Sequence, residues 1–341
     1  MAKYEIKDGV GIIPEGTKEI GREAFNWRPD LTSIVIPDSV TEIGPHAFSH
    51  SGLTSIVIPD TVTKIGYSAF ENCTRLTSVV IPDSVKEIGF SAFGRCTVLK
   101  SIVIPDSVTE ITMSAFKGCT SLKSIVIPDS VTKIGEGAFD GCKRLTSVVI
   151  GKSVEKIERI AFADCSKLTS IVIPDTVTVI GVEAFYGCKG LKSIVIPDSV
   201  TVIGGGAFSG CKGLTSVVIG KSVEIIGEKA FDHCTGLTSI AIPDSVTKIG
   251  DCAFWGCSGL TSIVIPRSVT EIGRRAFSDC EGLTSIVITG SVTEIGNGAF
   301  EFCRGLKAIN VPAKKGDYYR KRLPEWLHGL IVELPAEKKS K

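Results

Sequence analysis

The hydrophobic pattern along this chain repeats with almost no variation. Ala-Phe ends at Phe25, Phe48, Phe70, Phe93, Phe116, Phe139, Phe162, Phe185, Phe208, Phe231, Phe254, Phe277 and Phe300, in steps of 23 residues with a single step of 22. A fixed period of this length marks a stack of short units, since none could bury its own apolar face alone. Within Leu99 to Ser121 the periodicity changes twice. Ile102 and Ile104 alternate with Ser101 and Val103 up to Pro105, which predicts a short strand. Pro-Asp-Ser is turn chemistry, and Val108 and Ile111 predict a return segment that is bulged or a single extended turn. Ala115, Phe116 and Cys119 stand at helical spacing, which predicts one short helical or 3₁₀ turn before the next Leu.

An open stack exposes apolar core at both ends, so each end needs a cap. The expected organisation is an N-terminal cap with a degenerate first repeat over 1–30, a solenoid over 31–311, a C-terminal cap over 312–335 and a disordered tail over 336–341. Tyr4-Glu-Ile6 and Ile12-Ile13-Pro14 supply the front, and a short helix from Lys315 to Leu323 with strand-like Ile331 to Leu334 supplies the back. Trp326 and Leu330 are expected to shield the last rung.

The arrangement Cys-x-x-Leu-x-x-Ile-x-Ile-Pro-x-x-Val-x-x-Ile-Gly-x-x-Ala-Phe, seen from Cys73 to Phe93, resembles the BspA-like leucine-rich repeats. That resemblance implies a β-rich, right-handed leucine-rich-repeat coil with a concave parallel sheet, short turns or 3₁₀ segments on the convex side, and a role in protein binding. It implies no catalytic residues. The first two units depart from the pattern, with Arg28 and Ser51 at the Cys position.

Composition narrows the chemistry. With 38 Lys+Arg against 37 Asp+Glu, the formal charge is +1, so nothing global points to nucleic acid or an anionic membrane. The start, Met1 to Asp8, lacks the apolar core of a signal peptide, and no stretch is long and apolar enough to span a bilayer. The chain reads as soluble and, as given, cytoplasmic, while the resemblance allows a surface or secreted protein whose signal has been removed. Eleven of the twelve cysteines, Cys73 to Cys303, recur at the 23-residue step and read as free thiols filling the core. Cys252 stands outside this ladder, either as an exposed reactive thiol or as an incidental substitution. No Cys-x-x-Cys pair is present, and neither a metal nor any other cofactor is expected. Gly151-Lys152-Ser153 and Gly220-Lys221-Ser222 imitate the end of a phosphate loop without its first glycine and read as turns. The Asp row that includes Asp83, Asp106 and Asp129 reads as turn residues in preference to a calcium ladder.

Three surfaces remain as candidates for binding. Val103, Val126, Val149, Val172 and Val195 form an outward row on the expected concave face, either as a broad contact surface or merely as good strand formers. Tyr67, Phe90 and Met113 fall on three consecutive units just past the return segment, where stacking would join them into one apolar patch. Val179, Val202 and Ile225 replace the Glu or Lys of other units and form a second stripe. The alternative for both is that the side chains fold down and thicken the core. The function expected is therefore a non-catalytic protein-binding scaffold, adhesin-like or receptor-like, with self-assembly as the alternative and an enzyme unlikely, because no convergent acid, base and nucleophile can be named.

Overall fold

The computed structural model describes residues 4–290 and 292–335. The tail expected over 336–341 lies outside the described residues. The chain comprises two compact units, Met1–Val177 and Thr178–Lys341, each a β-solenoid of stacked turns.

Each turn in the first unit has three sides. The first is a short strand such as Ser124–Val126, paired in parallel with Ser147–Val149 so that Ile125 meets Val148 and Val126 meets Val149. Alternation places Ile125 inward and Ser124 and Val126 outward. The Pro-Asp-Ser corner follows, closed by an i to i+3 bond in which the Val131 amide donates to the Pro128 carbonyl at 3.1 Å. The second side is a two-residue strand, such as Lys133–Ile134, paired in parallel with Glu110–Ile111 and with Lys156–Ile157.

The third side is a ladder of β-turns, the short turns that the family resemblance implies, in place of the helical or 3₁₀ turn that the spacing of Ala, Phe and Cys predicts. Alternate amides close turns within the rung, Ala92 to Gly89, Gly94 to Ser91 and Cys96 to Phe93 at 3.1, 2.9 and 3.3 Å. The intervening amides donate to the next rung, Ser91 to Met113, Phe93 to Ala115 and Arg95 to Lys117 at 2.9, 2.9 and 2.6 Å. Such turns need a positive φ two residues before and after each Phe, as at Ser91 and Arg95 with φ of 53° and 57°. The physical reason is spacing. Strands stack about 4.8 Å apart, whereas packed helices need roughly 8–10 Å, so a helix on the third side would splay the rungs and break the cross-rung amide bonds that hold it.

The core lies between the three sides. Phe70, Phe93 and Phe116 are fully buried and stack with ring centroids 5.2 and 5.7 Å apart and planes within 4° of parallel. The ladder thiols are buried and free, and they donate to the carbonyl of the Phe one turn back, as Cys96 does to Phe70 at 3.2 Å and Cys119 to Phe93 at 3.1 Å. In the second unit Cys211 bonds Phe185 and Cys234 bonds Phe208 in the same way, both at 3.2 Å. Burial pushes the Cys119 and Cys211 thiols up to about 12, so the neutral donor form is the one the fold holds.

Both caps differ from the stacked rungs. At the front, Glu5–Lys7 and Val10–Ile12 form an antiparallel hairpin, and the latter strand pairs in parallel with Ser33–Ile34. Asp8 and Gly9 turn the hairpin with φ of 50° and 82°, the left-handed pair that a two-residue loop requires. At the back, a helix over Gly316–Arg320 and a 3₁₀ segment over Glu325–Leu330 lead to Ile331–Glu333, which adds in parallel to Ala308–Val311. Trp326 does not shield the end, being 56% exposed; Tyr319, Leu323 and Leu327 are buried there instead. The Tyr319 hydroxyl donates to the Gly290 carbonyl at 2.7 Å and accepts from the Val292 amide at 3.2 Å, which satisfies polar groups that no further rung pairs.

Candidate functional site

Tyr67, Phe90 and Met113 come together in the first unit. Each is the second residue of the turn that opens the third side, and the cross-rung amide bonds hold them in line: Ser68 to Phe90 and Ser91 to Met113, both at 2.9 Å. A Cβ on Gly89 would lie 2.5 Å from the Tyr67 nitrogen, so glycine there permits the close approach of these two rungs. The Tyr67 and Phe90 rings lie 5.0 Å apart and 8° from parallel. Phe90 and Met113 are about half exposed, at 47% and 48%, while Tyr67 is half-buried. Tyr67 also takes the Arg22 guanidinium over its face at 5.5 Å and the edge of His46 at 5.0 Å. A second aromatic pair in this unit escaped the sequence reading. Trp27, 67% exposed, stacks on His50 at 3.7 Å. The signal was available, since each stands two residues after its Phe and so falls in one row.

In the second unit, Val202 pairs in register with Ile225. Val179 and Val202 are 40% and 42% exposed and Ile225 is half-buried, so this stripe is open to solvent beside its own strand row. The valine row faces outward in both units, at Val103, Val126, Val149 and Val172 in the first and Val195 in the second.

Cys252, in the second unit, is half-buried with a φ of 55°. Burial pushes its thiol above the ordinary value, and the opposing pull of Lys229 is the smaller effect, so this setting favours the less nucleophilic protonated form. The same unit holds a chain of polar contacts in which the Ser209 hydroxyl donates to Asp232 at 3.2 Å and Asp232 pairs with the His233 imidazole. Ser209 touches the carboxylate and not the imidazole, so these contacts do not make the serine–imidazole pair of a nucleophilic triad. Trp255 donates from its indole to Asp279 at 2.6 Å nearby. Where Gly151 and Gly220 replace the proline of the corner, the Asp of the preceding rung reaches across: Asp129 and Asp198 accept the Lys152 and Lys221 amides, both at 2.7 Å. Among the described residues no group of three or more His, Cys, Asp or Glu could hold a metal ion, and no helix is long and apolar enough to cross a membrane.

Short parallel strands, a shared Leu/Ile/Phe core and exposed rows on a fixed frame define a leucine-rich-repeat scaffold. The sequence profile of the BspA type leucine rich repeat region matches in six copies over residues 18–130, 86–215 and 201–318, and the chain belongs to that family. Among solved structures it is similar to a leucine-rich repeat protein from Bacteroides ovatus, with 34% identity and a TM-score of 0.82 over 95% of this chain and 83% of that one. It is also similar to a leucine rich cell surface protein from Faecalibacterium prausnitzii, with 32% identity and a TM-score of 0.55 over 95% of this chain and 97% of that one. No curated protein sequence matches it. A repeat scaffold of this family points to a role in protein interaction.

Proposed function

We propose that the chain is a non-catalytic protein-binding scaffold, adhesin-like or receptor-like, and that Tyr67, Phe90 and Met113 anchor its protein partner. The observation that carries this reading is the alignment of two parallel, stacked aromatic rings and a thioether on three consecutive rungs, half exposed, on a backbone held by cross-rung hydrogen bonds. Aromatic residues and methionine are enriched in interface cores, the aromatics because they bury a large area at low cost in conformational freedom and methionine because its flexible, polarizable thioether adapts to an irregular partner surface. The name of the F. prausnitzii relative, a cell surface protein, supports an adhesin-like role. A second reading, self-association, draws on the exposed valine row, with Val103 and Val172 at 74% and 79%.

The test is the combined variant Tyr67→Ser, Phe90→Ser, Met113→Ser, compared with the parent by light scattering over a concentration range, by quantitative capture of a bound partner, and by thermal melting. Loss of a partner or of a larger assembly at an unchanged melting temperature supports the anchor role and tells the two readings apart. A large drop in melting temperature with binding and mass unchanged would make the patch part of the core and end the proposal.

A further inference from the structure

The first unit separates its charge across the face formed by its first strands. One rim is the corner between each ladder cysteine and the next leucine, together with the residue after that leucine. From Thr74 to Thr169 these positions hold Arg75, Lys100, Lys123, Lys143, Arg144 and Lys167 and no acid. All six are exposed, and none forms an ion pair among the described residues. The opposite rim carries exposed Asp83, Asp106, Asp129 and Asp175 in the Pro-Asp corners, with Lys152 as the exception. The two rims lie one strand apart, roughly 15–20 Å.

The stacking fixes the spacing of the basic rim. The Lys123 amide donates to the Lys100 carbonyl at 3.2 Å and the Thr146 amide to the Lys123 carbonyl at 2.9 Å. The Ser166 hydroxyl donates to the Lys143 carbonyl at 3.4 Å. Five rungs at about 4.8 Å therefore spread the six cations over roughly 20–25 Å in a line along the stack. No aromatic side chain stands among them, so the rim offers bases nothing to stack on, unlike the grooves that hold single-stranded nucleic acid. A duplex, about 20 Å across, would extend over the aspartate rim, which repels it; a thin chain fits between the rims. Four of the six are lysines, long point charges that suit anionic groups displayed at intervals.

We propose that this basic rim binds a linear acidic polysaccharide bearing sulfate or carboxylate groups, laid along the stack from Arg75 to Lys167. Binding is electrostatic and shallow, and the aspartate rim confines the polymer to one side of the face. The site stands apart from Tyr67, Phe90 and Met113 and does not rest on their role as a protein anchor.

The probe is a heparin dodecasaccharide, titrated into the full chain by calorimetry between 50 and 300 mM NaCl. Using the single-strand relation as a guide, six contacts give log K falling with log salt at a slope of about −4, and three lost contacts flatten it by about 2. The variant Lys100→Glu, Lys123→Glu, Arg144→Glu is expected to weaken binding about tenfold or more at 50 mM salt. A control with the same change in net charge, Lys18→Glu, Lys86→Glu, Lys156→Glu, is expected to stay within about threefold of the parent, and the Tyr67, Phe90, Met113 triple variant to bind as the parent does. Melting temperatures confirm folding in each case, and Gln in place of Glu provides a milder rim variant should the first unfold. Absence of saturable binding at 50 mM salt, equal losses in the rim and control variants, or tighter binding to a twelve-residue oligothymidylate or to polyglutamate of matched charge would each overturn the assignment.

Discussion

In the unit Met1–Val177 the outward row of the second strand runs Glu42, Lys64, Glu87, Glu110, Lys133 and Lys156, whereas in Thr178–Lys341 the same row begins Val179, Val202 and Ile225. Lys64 lies 3.9 and 3.5 Å from Glu42 and Glu87, and Lys133 lies 3.4 Å from Glu110. Only after Ile225 do charges return in the second unit, with Lys248 at 2.8 Å from Glu271. The inward neighbours do not register the change: Ile65 and Ile134 in the first unit and Ile203 and Ile226 in the second are all fully buried. Exposed ion pairs contribute little, about 0–1 kcal/mol each, so an apolar row in their place costs the fold almost nothing. The two units thus show one frame carrying different surfaces, and specificity resides in the rows that the core does not constrain.

The units differ also in the number of their ladder thiols, and the largest expected effect tests that difference. Burial raises the thiols of Cys73, Cys96, Cys119 and Cys142 in the first unit, and those of Cys211, Cys234, Cys257, Cys280 and Cys303 in the second. A thiol whose pKa is raised on folding is held neutral in the native state while the unfolded chain releases its proton. Its contribution is therefore intact below the unfolded value of 9.0 and is lost as pH climbs toward about 12. At roughly 1.4 kcal/mol per pH unit per thiol, a unit that opens as a whole loses several kcal/mol between pH 9 and 10. Urea melts from pH 7 to 10.5 are expected to show steep alkaline destabilisation, more in the second unit, and a combined Cys211→Ala, Cys257→Ala variant to show a flatter slope. A midpoint independent of pH through 10.5 would contradict the neutral-donor role.

Next in size is the shared core. Phe116→Ala in the first unit and Phe231→Ala in the second each remove a fully buried ring from a stack, and each is expected to cost about 3–5 kcal/mol. Calorimetry checks this, and costs differing by more than about 1.5 kcal/mol between the two would break the claim of a common core. The smallest effect concerns the turn ladder. Gly137 in the first unit and Gly206 in the second have φ of 60° and 63°, so alanine at either is expected to cost about 1 kcal/mol. At Gly137 the added Cβ would meet only ordinary contacts at 3.5 Å, which isolates the backbone contribution there. An unchanged midpoint for Gly137→Ala would mean that the turns bear no strain.

Much of this is legible in the sequence. The 23-residue step, the inward Leu, Ile and Phe rows and the free buried cysteines all follow from chemical type repeated at one interval. The hairpin cap was legible but missed: Asp8-Gly9 between Ile6 and Val10 is a two-residue hairpin signal, obscured by treating Tyr4 to Pro14 as a degraded rung. The helical spacing of Ala115, Phe116 and Cys119 was real but ambiguous, because a β-turn ladder places the same three side chains inward. The bond that ladder thiols make to a Phe carbonyl was not legible, although Ser51, also a potential donor, stands at the cysteine position of the second unit and meets the Cys73 sulfur at 3.4 Å.

The sequence by itself determined the period, the identity of the core rows and the family, because those depend only on which residue types recur and how far apart. Tertiary structure alone decided which groups meet across rungs. The turn ladder in place of a helix, the thiols bonded to phenylalanine carbonyls one turn back, and the two oppositely charged rims within a chain of net charge +1 all depend on the spacing between stacked backbones. That spacing is set by hydrogen bonds between residues 22 to 26 positions apart, a separation at which local sequence patterns do not specify which groups will pair.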